Sequence, residues 1–111
     1  MKGALTREEE HLLAEFGQRI RAAFPGQIVD VMLFGSRARG DQTAESDIDI
    51  AVITRDSDWR LADEIRNIGY ELDETIDYRF SIVVLPQARM RYLQEHDFQF
   101  LRNLSSDAVH V

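Results

Sequence analysis

The chain has 111 residues, about the size of one domain, and 44% apolar against 30% charged residues exclude a disordered chain. Its 13 Lys and Arg against 20 Asp and Glu give a net charge of −7, so stable binding of duplex nucleic acid is not expected. With no cysteine there are no disulfides or thiolate metal sites, and three scattered histidines leave carboxylates as the ligands of any metal.

Nothing in the sequence predicts a membrane protein. No apolar run approaches the ~20 residues that a membrane-spanning helix needs. The N-terminal sequence MKGALTREEE has no apolar core of the kind that an export signal carries. We therefore expect a cytoplasmic protein with no membrane contact.

The first half of the chain predicts one helix and two strands. Thr6 and Glu9 have the spacing of a capping box, and apolar residues follow at helical spacing until a Pro-Gly pair at 25–26. The segments Ile28 to Phe34 and Ile48 to Thr54 are apolar at successive positions, as in strands covered on both faces. The polar loop between them contains too many turn formers for a long helix, and loops of this kind often carry function.

The second half predicts two further helices and a third strand. We expect a helix from about Ser57 to Leu72, a strand from Tyr78 to Leu85 and a helix from Gln87 to Glu95. A turn of helix near Phe98 to Leu104 and a short edge strand within Ala108 to Val111 follow. This order predicts an α+β (mixed α/β) fold, a small mixed sheet with helices packed against one face, in a single domain spanning residues 1–111.

Two short motifs flank the polar loop. Gly35 and Ser36 end the first strand, and a glycine turn with a neighbouring hydroxyl can hold phosphate oxygens. Asp47 and Asp49 open the second strand, where alternation points both carboxylates to the same side. Two carboxylates at that spacing repel each other unless a cation lies between them, and Mg²⁺ suits such a pair when substrate phosphates complete its coordination. Together these motifs favour phosphoryl or nucleotidyl transfer.

Each motif by itself has an ordinary interpretation. A Gly-Ser pair after a strand is usually a simple turn, and an Asp-x-Asp near a strand end is usually solvated. Arg37 and Arg39 could be surface charges paired with Asp41 or Glu45. The functional interpretation therefore depends on the occurrence of both motifs, at close spacing, on adjacent strands.

The segment GSRARGDQTAESDIDIAV resembles the signature of the DNA polymerase β-like nucleotidyltransferases, and its short form resembles the minimal nucleotidyltransferase (MNT) subgroup. The resemblance implies a mixed sheet with flanking helices and transfer of a nucleoside monophosphate from a nucleoside triphosphate with two Mg²⁺ ions. It implies that Gly35 and Ser36 bind the triphosphate and that Asp47 and Asp49 hold the metals. Arg39 matches the arginine of the motif, in a structural or phosphate-facing role.

The family also uses a third carboxylate on a later strand, and the sequence leaves two residues open for that place. Asp77 is the only acidic residue of the segment Thr75 to Leu85, whereas alignment of the apolar run Ile82 to Leu85 puts Ser81 there. The two residues lie roughly 13 Å apart on an extended strand, so only one of them can lie over the metals. Asp77 would complete the catalytic set; Ser81 would weaken catalysis or leave nucleotide binding alone.

MNT proteins of this size resemble antitoxins paired with HEPN-domain ribonuclease toxins, which implies transfer of AMP from ATP to a toxin. The single small domain and the negative charge favour a protein acceptor over tRNA or DNA. A second hypothesis is a catalytically weak MNT-like antitoxin that neutralises its partner by binding, and a third is a small-molecule nucleotidyltransferase. Assembly with that partner or with further copies of the chain is compatible with either antitoxin hypothesis.

Overall fold

The computed structural model describes residues 5–35, 47–77, 79–96 and 109–111. Within these ranges the chain forms three helices, α1 (Arg7–Ala23), α2 (Trp59–Leu72) and α3 (Gln87–Glu95), and four strands, β1 (Ile28–Phe34), β2 (Ile48–Thr54), β3 (Phe80–Pro86) and β4 (Val109–His110). A 3₁₀ turn, Asp73–Ile76, follows α2. No helix in these ranges has the length and apolarity needed to cross a membrane.

The capping box predicted at the start of α1 is confirmed. The backbone N–H of Glu9 donates to the Thr6 hydroxyl at 3.1 Å, and the backbone N–H of Thr6 donates to the Glu9 carboxylate at 2.9 Å. These bonds satisfy two backbone donors that a helix start otherwise leaves without partners. The helix therefore begins at a position that local chemistry specifies.

The four described strands form one mixed sheet in the order β3-β2-β1-β4. β1 pairs antiparallel with both β2 and β4, and β2 pairs parallel with β3. The two strands that are apolar at successive positions, β1 and β2, lie in the centre of the sheet, as predicted. The bounds predicted for β1, β2 and α3 match the structure, whereas β3 begins two residues later than predicted and α2 begins at Trp59 rather than Ser57.

The larger hydrophobic core lies between α1, α2 and one face of the sheet. Its fully buried members include Phe16, Ile20 and Ile65, and the rings of Phe16 and Phe80 lie 6.1 Å apart. A smaller core on the opposite face joins Met32, Ala51 and Ile53 to partly buried residues of α3. The mixed α+β fold is confirmed, but the expectation that the helices pack against one face is wrong for α3. Strands apolar on both faces need cover on both sides, and α3 supplies it on the second face.

The helical turn predicted near Phe98 to Leu104 lies outside the described residues. The predicted edge strand is present as β4, whose two residues pair with Met32 and Leu33 of β1. The side chain of His110 lies 2.8 Å from the carboxylate of Asp30 on β1. The chain after the described helix α3 thus returns to the sheet at the edge next to β1.

Candidate functional site

One end of the sheet brings together the two flanks of the polar loop. The antiparallel register pairs Phe34, the last residue of β1, with Asp49 of β2. Gly35 follows β1 at this edge, and Asp47 immediately precedes β2. Asp47 is exposed and Asp49 is partly buried. The glycine turn and the carboxylate pair therefore meet at the same edge, although they are separated in sequence by the loop.

Gly35 makes room for the Asp49 carboxylate. Its φ is +74°, a left-handed conformation that side chains other than glycine rarely adopt. A Cβ atom at this position would overlap Oδ2 of Asp49 and lie 3.1 Å from its Cγ. Glycine is thus required twice, by the backbone conformation and by the carboxylate beside it. This contact shows that the glycine turn and the Asp-x-Asp motif touch, whereas the sequence predicted only that they lie on adjacent strands.

Ser81 lies beside Asp49 on the neighbouring strand. β2 and β3 are parallel, and their register pairs Asp49 with Ser81. Residues in register project to the same face, and adjacent strands lie about 4.8 Å apart. The Ser81 hydroxyl and the Asp49 carboxylate therefore share one face at the site end of the sheet.

Asp77 is an exposed residue at the end of the 3₁₀ turn. It follows the 3₁₀ turn with φ 60° and ψ 37°, and its side chain is 89% exposed. Its backbone N–H donates to the Asp73 carbonyl, and Arg79 Nη2 lies 4.0 Å from its carboxylate. Aspartate is one of the few residues that tolerate the left-handed conformation, which accounts for its presence in this turn.

No three Asp, Glu or His side chains of the described ranges come together as a group able to hold a metal ion. Asp47, Asp49 and Asp77 thus do not form such a group among the described residues, and the residue in register beside Asp49 is a serine. The register puts Ser81, one of the two residues predicted for the third place, beside Asp49, and the role of either residue stays a prediction. The remaining predicted site residues, Ser36 and Arg39, lie outside the described residues.

Asp73 is a buried carboxylate near the same end of the sheet that the sequence analysis missed. Its residue is fully buried, and one carboxylate oxygen accepts a hydrogen bond from the backbone N–H of Phe80 at 2.9 Å. The other oxygen, Oδ1, is buried without a hydrogen-bond partner. Burial raises the pKa of Asp73, although the backbone N–H groups of Phe80 and of Asp73 itself oppose this effect. The sequence carries no signal for it, because Asp73 looks like any polar residue after a helix.

Asp73→Asn is expected to change how stability depends on pH. Because burial raises the pKa of Asp73 above 3.8, the folded chain binds this proton more tightly than the unfolded chain does. The resulting stabilisation is complete below the unfolded pKa and is lost as the pH rises through the higher folded pKa. The free energy of unfolding of Asp73→Asn minus that of the wild type should therefore increase across this window and then level off. Urea unfolding at a series of pH values measures this difference, and a difference independent of pH would contradict the expectation.

The sequence and its relatives identify the kind of domain. Residues 18–100 match the family described as Polymerase beta, Nucleotidyltransferase. Two Methanocaldococcus jannaschii proteins provisionally named as protein adenylyltransferases are similar: MJ0604 is 47% identical over 45 residues and MJ1305 is 33% identical over 76 residues. These matches cover 40% and 68% of this chain, and 45% and 51% of the two proteins. The chain spans about half the length of these curated relatives.

Solved structures share the fold. A protein from Sulfolobus solfataricus, provisionally named as a nucleotidyltransferase, is 25% identical with a TM-score of 0.53, and the match covers 97% of this chain and 88% of that one. A toxin–antitoxin structure with AMP-PNP is 22% identical with a TM-score of 0.56, covering 95% and 72% of the two chains. A mutant of the toxin–antitoxin MntA-HpeT is 19% identical with a TM-score of 0.55, covering 88% and 70%. The element order around the glycine turn and the carboxylate pair is thus a known architecture.

Proposed function

Because this chain belongs to the polymerase β nucleotidyltransferase family, we propose that it transfers AMP from ATP, with Mg²⁺, to a protein acceptor and releases pyrophosphate. The observation that carries the proposal is the contact between the Gly35 turn and the Asp49 carboxylate. A turn of this kind suits phosphate oxygens, and a neighbouring carboxylate suits the cation that accompanies them. The resemblance of the whole loop to the family signature extends the proposal to Ser36 and Arg39.

Asp47 and Asp49 would hold the magnesium ions. Mg²⁺ is commonly bound by one or two carboxylates together with substrate phosphates, and an exposed and a partly buried carboxylate at one sheet edge fit that donor set. The metal would supply charge neutralisation at the transferring phosphoryl group. Gly35 and Ser36 would bind the triphosphate, and Arg39 would face the phosphates or support the loop.

Transfer is proposed to be slow because Ser81, rather than a carboxylate, is in register with Asp49. A neutral hydroxyl is a weaker metal ligand and a weaker base than a carboxylate. The same observation favours a second candidate function, a nucleotide-binding antitoxin that neutralises its partner by binding alone. Both candidates share the glycine turn and the carboxylate pair, and they differ in whether AMP is transferred.

The proposed acceptor is a toxin encoded with this protein, of the HEPN ribonuclease class that the sequence resemblance implies. The toxin–antitoxin structures that share this fold support a pairing of this kind. A net charge of −7 disfavours tRNA or DNA as acceptor, since phosphate backbones are repelled. Cytoplasmic location is part of this proposal.

Incubation of the protein with labelled ATP, Mg²⁺ and the co-encoded toxin tests the proposal by intact mass. We expect the toxin to gain AMP in the presence of Mg²⁺ and to gain none with the Asp47→Ala, Asp49→Ala double variant. A stable complex in which the toxin is neutralised but not modified would favour the binding function. An unmodified toxin that remains active would contradict both functions.

Ser81→Asp is expected to raise the rate of transfer, whereas Asp77→Asn is expected to leave it unchanged. A carboxylate in register with Asp49 would restore an anionic group beside the metal pair, and a positioned base is typically worth ~10²–10⁴ in rate. We expect an increase of at least about tenfold in single-turnover transfer, as part of that gain. A steep loss with Asp77→Asn would instead assign the third place to Asp77.

A further inference from the structure

Asp73 is an unusual residue to bury. Its carboxylate is buried, it forms no ion pair with a described side chain, and Oδ1 has no hydrogen bond. Burial of a carboxylate with one unsatisfied oxygen opposes folding, as the upward shift of its pKa indicates. The other oxygen, Oδ2, accepts a hydrogen bond from the backbone N–H of Phe80, the first residue of β3.

A single peptide group connects Asp73 to the carboxylate pair. The N–H of the peptide between Arg79 and Phe80 donates to Asp73 at 2.9 Å, and its carbonyl, Arg79 O, accepts from the N–H of Ile48 at 2.8 Å. Ile48 lies between Asp47 and Asp49 in the sequence. The same peptide thus bonds to the buried carboxylate on one side and to the backbone of the Asp-x-Asp motif on the other.

These two bonds lie at the first residue pair of the parallel β2–β3 register, next to the pair that forms the site. Ile48 pairs with Phe80, and the next pair in the parallel register is Asp49 with Ser81. Asp49 and Ser81 lie on the face opposite to the larger core that holds Ile48 and Phe80. A shift of the Arg79–Phe80 peptide would therefore move Asp49 on β2 and Ser81 on β3 relative to each other.

We propose that Asp73 is a positioning residue that fixes the start of β3 against β2 and thereby holds Asp47, Asp49 and Ser81 in their mutual arrangement. The proposal rests on the proposed function for its effect on nucleotide binding. Asp73 is not proposed as a metal ligand, since it is fully buried. Its role is comparable to that of outer partners in metal sites, whose loss typically lowers metal affinity about 10–100-fold.

The test compares three variants of the full chain. Asp73→Ala removes the acceptor for the Phe80 N–H, whereas Asp73→Asn keeps an acceptor oxygen and removes the charge. Leu72→Ala is the matched control, because the neighbouring residue is also buried and its truncation disturbs the larger core. Two quantities are measured on folded protein: hydrogen exchange of the Phe80 and Ile48 amides by NMR, and affinity for ATP with Mg²⁺.

We expect Asp73→Ala to accelerate exchange at Phe80 and Ile48 and to weaken MgATP binding at least about tenfold. Asp73→Asn should remain within about twofold of the wild type in affinity, and so should Leu72→Ala. In Leu72→Ala, global stability falls, so exchange should accelerate at the protected amides of the core generally and not selectively at Phe80 and Ile48. Loss of affinity in Asp73→Asn, or equal losses in Asp73→Ala and Leu72→Ala, would overturn the proposal.

A measurement on the wild type decides the case in which Asp73→Ala does not fold. If the position of the Arg79–Phe80 peptide affects MgATP binding at Asp47 and Asp49, then MgATP must in turn slow exchange of the Phe80 amide, because coupling between two sites is reciprocal. Unchanged exchange at Phe80 on binding would overturn the proposal. Wild-type protein that fails to bind MgATP would contradict the proposed function instead. The exchange rates of Phe80 and Ile48 in the variants would then test only whether Asp73 fixes the start of β3 against β2.

Discussion

Replacement of Asp47 and Asp49 together by alanine is expected to abolish Mg²⁺-dependent nucleotide binding and to leave the fold intact. Asp47 and Asp49 lie at the site end of the sheet, and neither belongs to the hydrophobic cores. Loss of the ligands themselves should weaken ATP binding by more than the 10–100-fold typical of outer partners. We expect the melting temperature to change by less than about 4 °C, as for substitutions outside the core. Calorimetric titration with ATP, with and without Mg²⁺, measures the binding.

The control for charge is the double variant Asp63→Ala, Glu64→Ala. Both residues are exposed on α2, and their removal changes the net charge by the same amount. This variant should bind MgATP as the wild type does. An Asp47, Asp49 variant that unfolds, or one that binds MgATP normally, would show that the pair is not a metal site.

Gly35→Ala is expected to displace the Asp49 carboxylate and to weaken MgATP binding at least about tenfold, the range found for loss of a group that positions a ligand. The methyl group would overlap Asp49 Oδ2, and the positive φ of +74° adds roughly 1–2 kcal/mol of strain. Gly35→Val should abolish binding, because its branched side chain occupies still more of the same space. Binding is measured by titration with ATP and Mg²⁺, and stability by thermal unfolding.

Gly26→Ala separates the two causes. Gly26 also has a positive φ, +79°, but a Cβ atom there meets nothing within 4 Å. Backbone strain should lower the stability of Gly26→Ala by about as much as it lowers that of Gly35→Ala. The affinity of Gly26→Ala for MgATP should equal that of the wild type. Normal nucleotide affinity in Gly35→Ala would contradict the contact with Asp49 as the reason for the glycine.

The sequence by itself determined most of the elements and predicted where the candidate site lies. The capping box at Thr6 and Glu9 and the apolar periodicity of α1 act within a few residues, so the sequence alone predicts this helix. The continuous apolar character of β1 and β2 predicted central strands, which the sheet order confirms. The glycine turn and the Asp-x-Asp motif could be placed at adjacent strand ends because each immediately flanks its strand.

Only the tertiary structure decided which residues of separate elements meet. Ser81 rather than Asp77 stands beside Asp49 because the parallel register of β2 and β3 fixes that pairing, and register between distant segments is not encoded in local periodicity. The position of α3 on the second face was likewise missed, since its apolar residues match either side of the sheet. The contact of Gly35 with Asp49 and the bond from Phe80 to Asp73 join residues separated by turns of the chain. Such contacts depend on how strands and helices pack in three dimensions, and local sequence specifies only the elements that make them.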